Sequence, residues 1–201
     1  MIRLPPHGRG LRVGLFGGSF DPPHEGHLHV ARMALTRLKL DRLWWLVTPG
    51  NPLKDHSRLT PLPERLAAAR AMARDPRIVV TDIEGQAGFG FTVETLRFLR
   101  ARCPGVRFVW IMGGDGLANL HRWRGWREIA ALAPFAVIDR PGETLRAKAS
   151  PAARALAGRR LPEECASRLA LARPPAWVYL HGPRSPLSST EIRRSEGRRS
   201  D

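Results

Sequence analysis

Short apolar runs alternate along most of the chain with longer stretches whose apolar residues recur at helical spacing. The first run, Val13 to Phe16, reads as a buried strand ended by Gly17 and Gly18, which let the backbone come close to a ligand. From His24 onward Leu28, Ala31, Ala34, Leu35 and Leu38 keep an approximately helical period. Pro22 and Pro23 suit the opening positions of that helix, where a missing N–H costs nothing. Residues 42–49, aromatic and β-branched, predict a second strand. Residues 62–74 are rich in Ala and Arg and end before Pro76, which predicts a helix. Further strands are expected over 77–81, 106–112, 135–138 and 177–180. Helices are expected over 92–102, with Val93, Leu96 and Leu99 as the apolar stripe, and over 126–132. Between 141 and 175 Pro, Ala and Arg dominate, and only short helices over 152–156 and 162–171 are expected.

Strands alternating with helices predict an α/β fold, a Rossmann-like and mostly parallel sheet with helices on both faces. Ligands of such sheets bind off the carboxyl ends of the strands, where this chain puts its Gly-rich turns. A length of 201 residues suits one domain with a substantial core. No internal repeat is present. The expected organisation is a flexible leader over 1–10, one domain over 11–196, and a short basic tail over 197–201.

Composition narrows the class. Hydrophobic content of 43% and charged content of 25% are ordinary for a soluble globular chain. No apolar run approaches a membrane span, and no secretory segment opens the chain. Cys103 and Cys165 make neither a metal spacing nor a disulfide framework, so a cytoplasmic location is expected. The formal net charge of +15 comes from 33 basic against 18 acidic residues. Lys39, Lys54 and Lys148 are the only lysines, and the arginines are scattered. This charge reads as a bias toward Arg that attracts polyanionic small molecules. No recognised nucleic-acid module is visible, and neither nucleic acid nor a membrane is expected as partner.

The candidate chemistry lies near both ends of the chain. In Gly17-Gly18-Ser19-Phe20-Asp21-Pro22-Pro23-His24-Glu25-Gly26-His27 a Gly-rich turn leads into a helix start, which is an anion site. His24 and His27, three apart, share one helix face and can address one phosphate. No Gly-Lys-Ser/Thr follows the glycines, and the Gly-x-Gly-x-x-Gly spacing of dinucleotide-binding folds is absent. Ser188-Ser189-Thr190-Glu191 fits a capping box, and Arg193 adds a guanidinium to the hydroxyls and N–H groups of that helix start.

The first stretch resembles the signature of nucleotidylyltransferases that carry a His-x-Gly-His motif, and residues 187–193 resemble the Ile-Ser-Ser-Thr-x-Ile-Arg motif of the same superfamily. Leu187 replaces the usual Ile. Residues 49–56, 91–96, 111–115, Trp123 and 139–142 resemble landmarks of bacterial nicotinate-nucleotide adenylyltransferases. The match covers nearly everything from Val13 to Arg194. The resemblance implies the nucleotidylyltransferase fold and AMP transfer from ATP to nicotinate mononucleotide, with Mg²⁺ bound to ATP and no protein ligands to the metal. It implies that His24, His27 and Arg193 are catalytic. Gly17, Gly18, Ser19, Asp115, Ser188, Ser189 and Thr190 would join them in holding ATP. Lys54, Thr92, Trp123 and Arg140 would hold the mononucleotide, with Trp123 stacked on the pyridine and Trp126 in the core.

Two other readings use the same features. Relatives in the superfamily act on nicotinamide mononucleotide or phosphopantetheine, and Thr92, Trp123 and Arg140 argue against them. An RNA-binding protein built on a nucleotide-binding fold would be expected to lack the histidines or the Ser/Thr-Arg helix start, and both are intact. A homo-oligomer is compatible with all of this. After Arg194 the chain departs from the family pattern, which continues the last helix, so less packing is expected behind the pyrophosphate site.

Overall fold

The computed structural model describes residues 2–50, 59–139 and 144–182, the side chains of 144 and 145 apart. Strands β1 (Arg12–Gly18), β2 (Arg42–Val47), β3 (Ile78–Thr81), β4 (Arg107–Gly113), β5 (Phe135–Ile138), β6 (Arg160–Leu161) and β7 (Trp177–Leu180) form one sheet. Its order is β3-β2-β1-β4-β5-β7-β6 and every neighbouring pair is parallel. The helices are α1 (Glu25–Arg37), α2 (Leu62–Met72), α3 (Ile83–Ala87), α4 (Thr92–Arg102), α5 (Gly114–Asn119), α6 (Trp126–Leu132), α7 (Thr144–Lys148) and α8 (Pro151–Ala155). Among the described residues none is long and apolar enough to cross a membrane.

Two cores sit on the two faces of the sheet. Leu15, Trp44, Trp110, Val137 and Tyr179 point to one, where α4 contributes Val93, Leu96 and Leu99. Phe16, Trp45, Ile111, Ala136 and Val178 point to the other, against Ala31, Ala34 and Leu35 of α1 and Leu66 and Ala69 of α2. Strands buried on both faces have no polar side to show, and so they appear in the sequence as continuous apolar runs.

The strand order changes direction between β1 and β4: β2 and β3 build outward on one side, β5 and β7 on the other. The crossover connections therefore leave a crevice off the carboxyl ends of β1 and β4.

Three local expectations need correction. Residues 2–10, expected as a flexible leader, pack on the domain. Ile2 and Leu4 lie against the α4-side core, Arg3 N–H donates to Gln86 Oε1 at 2.8 Å, and Gly10 N–H donates to Gly105 O at 2.9 Å. Pro22 and Pro23 precede α1 rather than opening it. A residue before proline is disfavoured in the helical region, which argues against Pro22 there. The cap is His24, whose backbone is extended and whose side chain accepts from Gly26 N–H. The turn after β4 winds directly into α5, and α3, α7 and β6 are further short elements with too few residues to show a period.

Helix α3 carries a buried carboxyl, Glu84, which accepts from Thr95 Oγ1 at 2.9 Å and also meets the Thr48 hydroxyl. Burial pushes its pKa up, and the two hydroxyls pull less strongly the other way. A raised carboxyl contributes its stability below the ordinary carboxylate range and loses it as pH rises through the raised value. Glu84→Gln keeps an acceptor for Thr95 and removes the charge. Thermal unfolding should therefore show the variant about 2–4 °C more stable at pH 8 and equal to the parent at pH 4. Equal melting at both pH values would contradict burial as the cause.

Candidate active site

Gly17 and Gly18 end β1 at the crevice, and a Cβ on Gly17 would stand 3.1 Å from the Trp110 ring of β4. Glycine here allows that ring and the turn to share the space beside the strand end. Ser19 follows, partly exposed, and then Phe20, fully buried, with φ of 49°. A bulky residue with positive φ is strained unless its surroundings hold it. Here they do: the ring stacks on Trp45 (centroids 4.9 Å, 24°) and packs on His27 (4.6 Å).

His24 and His27 form the helix cap themselves. His24 is the N-cap of α1, and its Nδ1 accepts from Gly26 N–H at 3.1 Å. His27, three residues on, accepts from His24 N–H through its own Nδ1 at 3.1 Å. The pair is a capping box made of two imidazoles. Because each Nδ1 is an acceptor, the proton of each neutral ring sits on Nε2. The rings lie 3.9 Å apart and are buried, so two Nε2–H donors are held side by side at the positive end of α1.

Beneath the turn lies Arg65 of α2, only 2% exposed. Its Nη1 donates to Ser19 O at 2.7 Å and Thr48 O at 2.8 Å. Nη2 donates to Pro49 O at 3.2 Å, and Nε to Thr60 O at 2.7 Å. Burial lowers its pKa, and the buried Asp21 opposes that shift. In the sequence this residue is one arginine among many. Its signal was position: Arg65 stands on the same stripe as Leu62, Leu66 and Ala69, where an apolar side chain is expected.

Asp115, exposed, stands in the first turn of α5 at the end of β4, beside the crevice. Thr92 is the first residue of α4. Its N-cap, Phe91, supplies no side-chain acceptor, and Glu94 takes the Gly90 and Phe91 N–H groups at 3.1 Å each. Trp123 is half-buried and meets Trp110 edge to face at 6.4 Å, which carries its ring toward the β1–β4 crevice. Trp126, expected in the core, is half-buried as well and packs under the Arg127 guanidinium at 4.4 Å. Lys54, Arg140, Ser188, Ser189, Thr190 and Arg193 lie outside the described residues. The flanks of two of these segments are described. Asp139, just before Arg140, accepts from Tyr179 Oη at 2.7 Å, and β7 brings the chain to the carboxyl edge at Leu180.

The family model for cytidylyltransferase-like proteins matches residues 15–195. A protein of Methylorubrum extorquens named probable nicotinate-nucleotide adenylyltransferase is 61% identical over 183 residues, 91% of this chain and 99% of the relative.

The chain belongs to the nicotinate-nucleotide adenylyltransferase family.

A second relative in that family, from Rhizobium meliloti, is 56% identical over 92% of this chain and 99% of its own length. Among solved structures, a Plasmodium falciparum nicotinic acid mononucleotide adenylyltransferase complexed with NaAD superposes with a TM-score of 0.69. It covers 92% of this chain and 83% of its own at 18% identity, a likeness of fold. The α/β fold expected for a nicotinate-nucleotide adenylyltransferase is thus the fold observed, with a parallel sheet and helices on both faces.

Proposed function

We propose that this protein transfers AMP from ATP to nicotinate mononucleotide, giving nicotinate adenine dinucleotide (deamido-NAD) and pyrophosphate. The observation that carries the reading is the imidazole capping box at the β1–β4 crevice, two Nε2–H donors at a helix N-terminus, in a chain 61% identical to a named relative. No protein nucleophile is needed. An oxygen of the mononucleotide phosphate attacks the α-phosphorus of ATP in line, forming one P–O bond. The bond to the α–β bridging oxygen breaks, and pyrophosphate leaves with its electron pair. Charge grows on the α-phosphate oxygens and on the leaving group, so donors aimed there lower the barrier. His24 and His27 are assigned to the α-phosphate; Gly17, Gly18 and Ser19 line the triphosphate. Asp115 would accept from the ribose hydroxyls of ATP. Thr92, Trp123, Lys54 and Arg140 are assigned to the mononucleotide, and Ser188, Ser189, Thr190 and Arg193 to the departing phosphates.

Mg²⁺ would come with ATP and would offset charge on the triphosphate. Among the described residues no group of three or more His, Cys, Asp and Glu side chains could hold a metal. Incubation with MgATP and nicotinate mononucleotide should give the dinucleotide and pyrophosphate in equal amounts by chromatography. Hydrolysis of ATP without the dinucleotide would overturn the proposal.

The stretch from Ser188 to Arg193, expected from its capping-box spacing to start a helix, makes its own prediction. Arg193→Ala should weaken both ATP use and the reverse reaction with pyrophosphate, because both place phosphates there. On the expected helix Arg194 would point about 100° away from Arg193, so Arg194→Ala should change little. Equal losses in kcat/KM for the two variants would put the pyrophosphate elsewhere.

A further inference from the structure

We propose that Arg65 is a positioning residue for the adenylyl transfer: by holding the Ser19 carbonyl it orients the Ser19–Phe20 peptide and, through the Phe20 ring, His27. This rests on the assignment of the β1–α1 turn and its histidines to the ATP phosphates.

Four backbone carbonyls, from Ser19, Thr48, Pro49 and Thr60, take hydrogen bonds from one guanidinium. They belong to the turn after β1, the end of β2 and the approach to α2. A guanidinium satisfies them because its donors form a planar fork; an ammonium is a compact point charge and cannot reach four acceptors in that plane. The bond to Ser19 O is one of the two shortest of the four, at 2.7 Å. It fixes the peptide whose next residue, Phe20, has the positive φ. A trans peptide sets its N–H opposite its C=O, so holding Ser19 O toward α2 turns Phe20 N–H away from Arg65. Phe20 then lies between Trp45 and His27. The connection from Arg65 to His27 therefore runs through one hydrogen bond, one constrained backbone dihedral and one ring contact. Each link is short and packed, so a shift at the first reaches the last.

Such a residue touches no substrate. Its loss should misplace donors by fractions of an ångström, which lowers transition-state stabilisation more than ground-state binding. Arg65→Lys keeps the charge and the aliphatic stem, so it should fold. We expect it to lose about 30- to 100-fold in kcat with KM for nicotinate mononucleotide within about threefold of the parent. Arg65→Ala should lose as much or more, and guanidinium ion at millimolar concentration should restore part of its kcat, whereas ammonium should not. Arg70→Ala, an exposed change on the same helix, serves as the control and should match the parent. If Arg65→Ala does not fold, Arg65→Lys alone decides. Parent-like kcat in Arg65→Lys would overturn the inference. So would a loss expressed only as reduced melting temperature, with kcat per folded molecule unchanged. A parent enzyme that makes no dinucleotide would instead overturn the proposed function, so the two failures are told apart by the parent's own activity.

Discussion

His24→Asn and His27→Asn should each lower kcat by about 10²–10³ while the melting temperature and the ATP KM stay close to the parent values. Asparagine places its carbonyl oxygen near the position of Nδ1 and is itself a favoured N-cap. The acceptor for Gly26 N–H, or for His24 N–H, is therefore kept. What disappears is the Nε2–H donor. Glutamine does the opposite: its amide reaches the Nε2 position and leaves the Nδ1 acceptor unfilled. His24→Gln should then retain more activity than His24→Asn and be less stable, by about 1 kcal/mol for a lost cap. This crossed pattern separates chemistry from capping, which alanine would remove together. If the Asn and Gln variants lose activity equally, and in proportion to stability, the imidazoles are structural caps only.

Acceptor choice carries the other large effect. Nicotinate presents a carboxylate where nicotinamide presents a carboxamide, so discrimination must come from donors aimed at that group. Thr92 opens α4, and the first N–H groups of a helix have no partner within it. Their positive end favours an anion, and a carboxylate accepts on both oxygens. A carboxamide would set its NH₂ against some of these donors and leave buried groups unpaired, at about 1–3 kcal/mol each. Roughly two such clashes correspond to a preference of two to four orders of magnitude in kcat/KM for nicotinate mononucleotide. Phosphopantetheine should be inert. Trp123→Ala removes stacking open to either ring, so KM should rise for both mononucleotides while their ratio holds. Thr92→Val should narrow the ratio. Parallel assays with the three acceptors would check this, and equal kcat/KM for acid and amide would remove the deamido specificity while leaving adenylyl transfer intact.

Part of this fold follows from local chemistry and is legible along the chain. Apolar runs buried on both faces marked β1, β2, β4, β5 and β7, because no polar residue can interrupt a strand covered by helices. The His-x-Gly-His spacing placed two imidazoles on one helix turn, because three residues nearly complete a turn. Other features depend on residues far apart in the chain. The crevice exists because β4 pairs with β1 rather than with β3, a choice made by the crossovers and their handedness. Phe20 takes a positive φ because Trp45, His27 and the carbonyl held by Arg65 leave it no other seat. Residues 2–10 pack because Gln86 and Gly105 offer partners that no local pattern reveals. Arg65 differs from its neighbours in α2 only by what lies opposite it. Four carbonyls brought together from three segments have no signature in the helix that answers them, and tertiary structure alone makes that arginine part of the site.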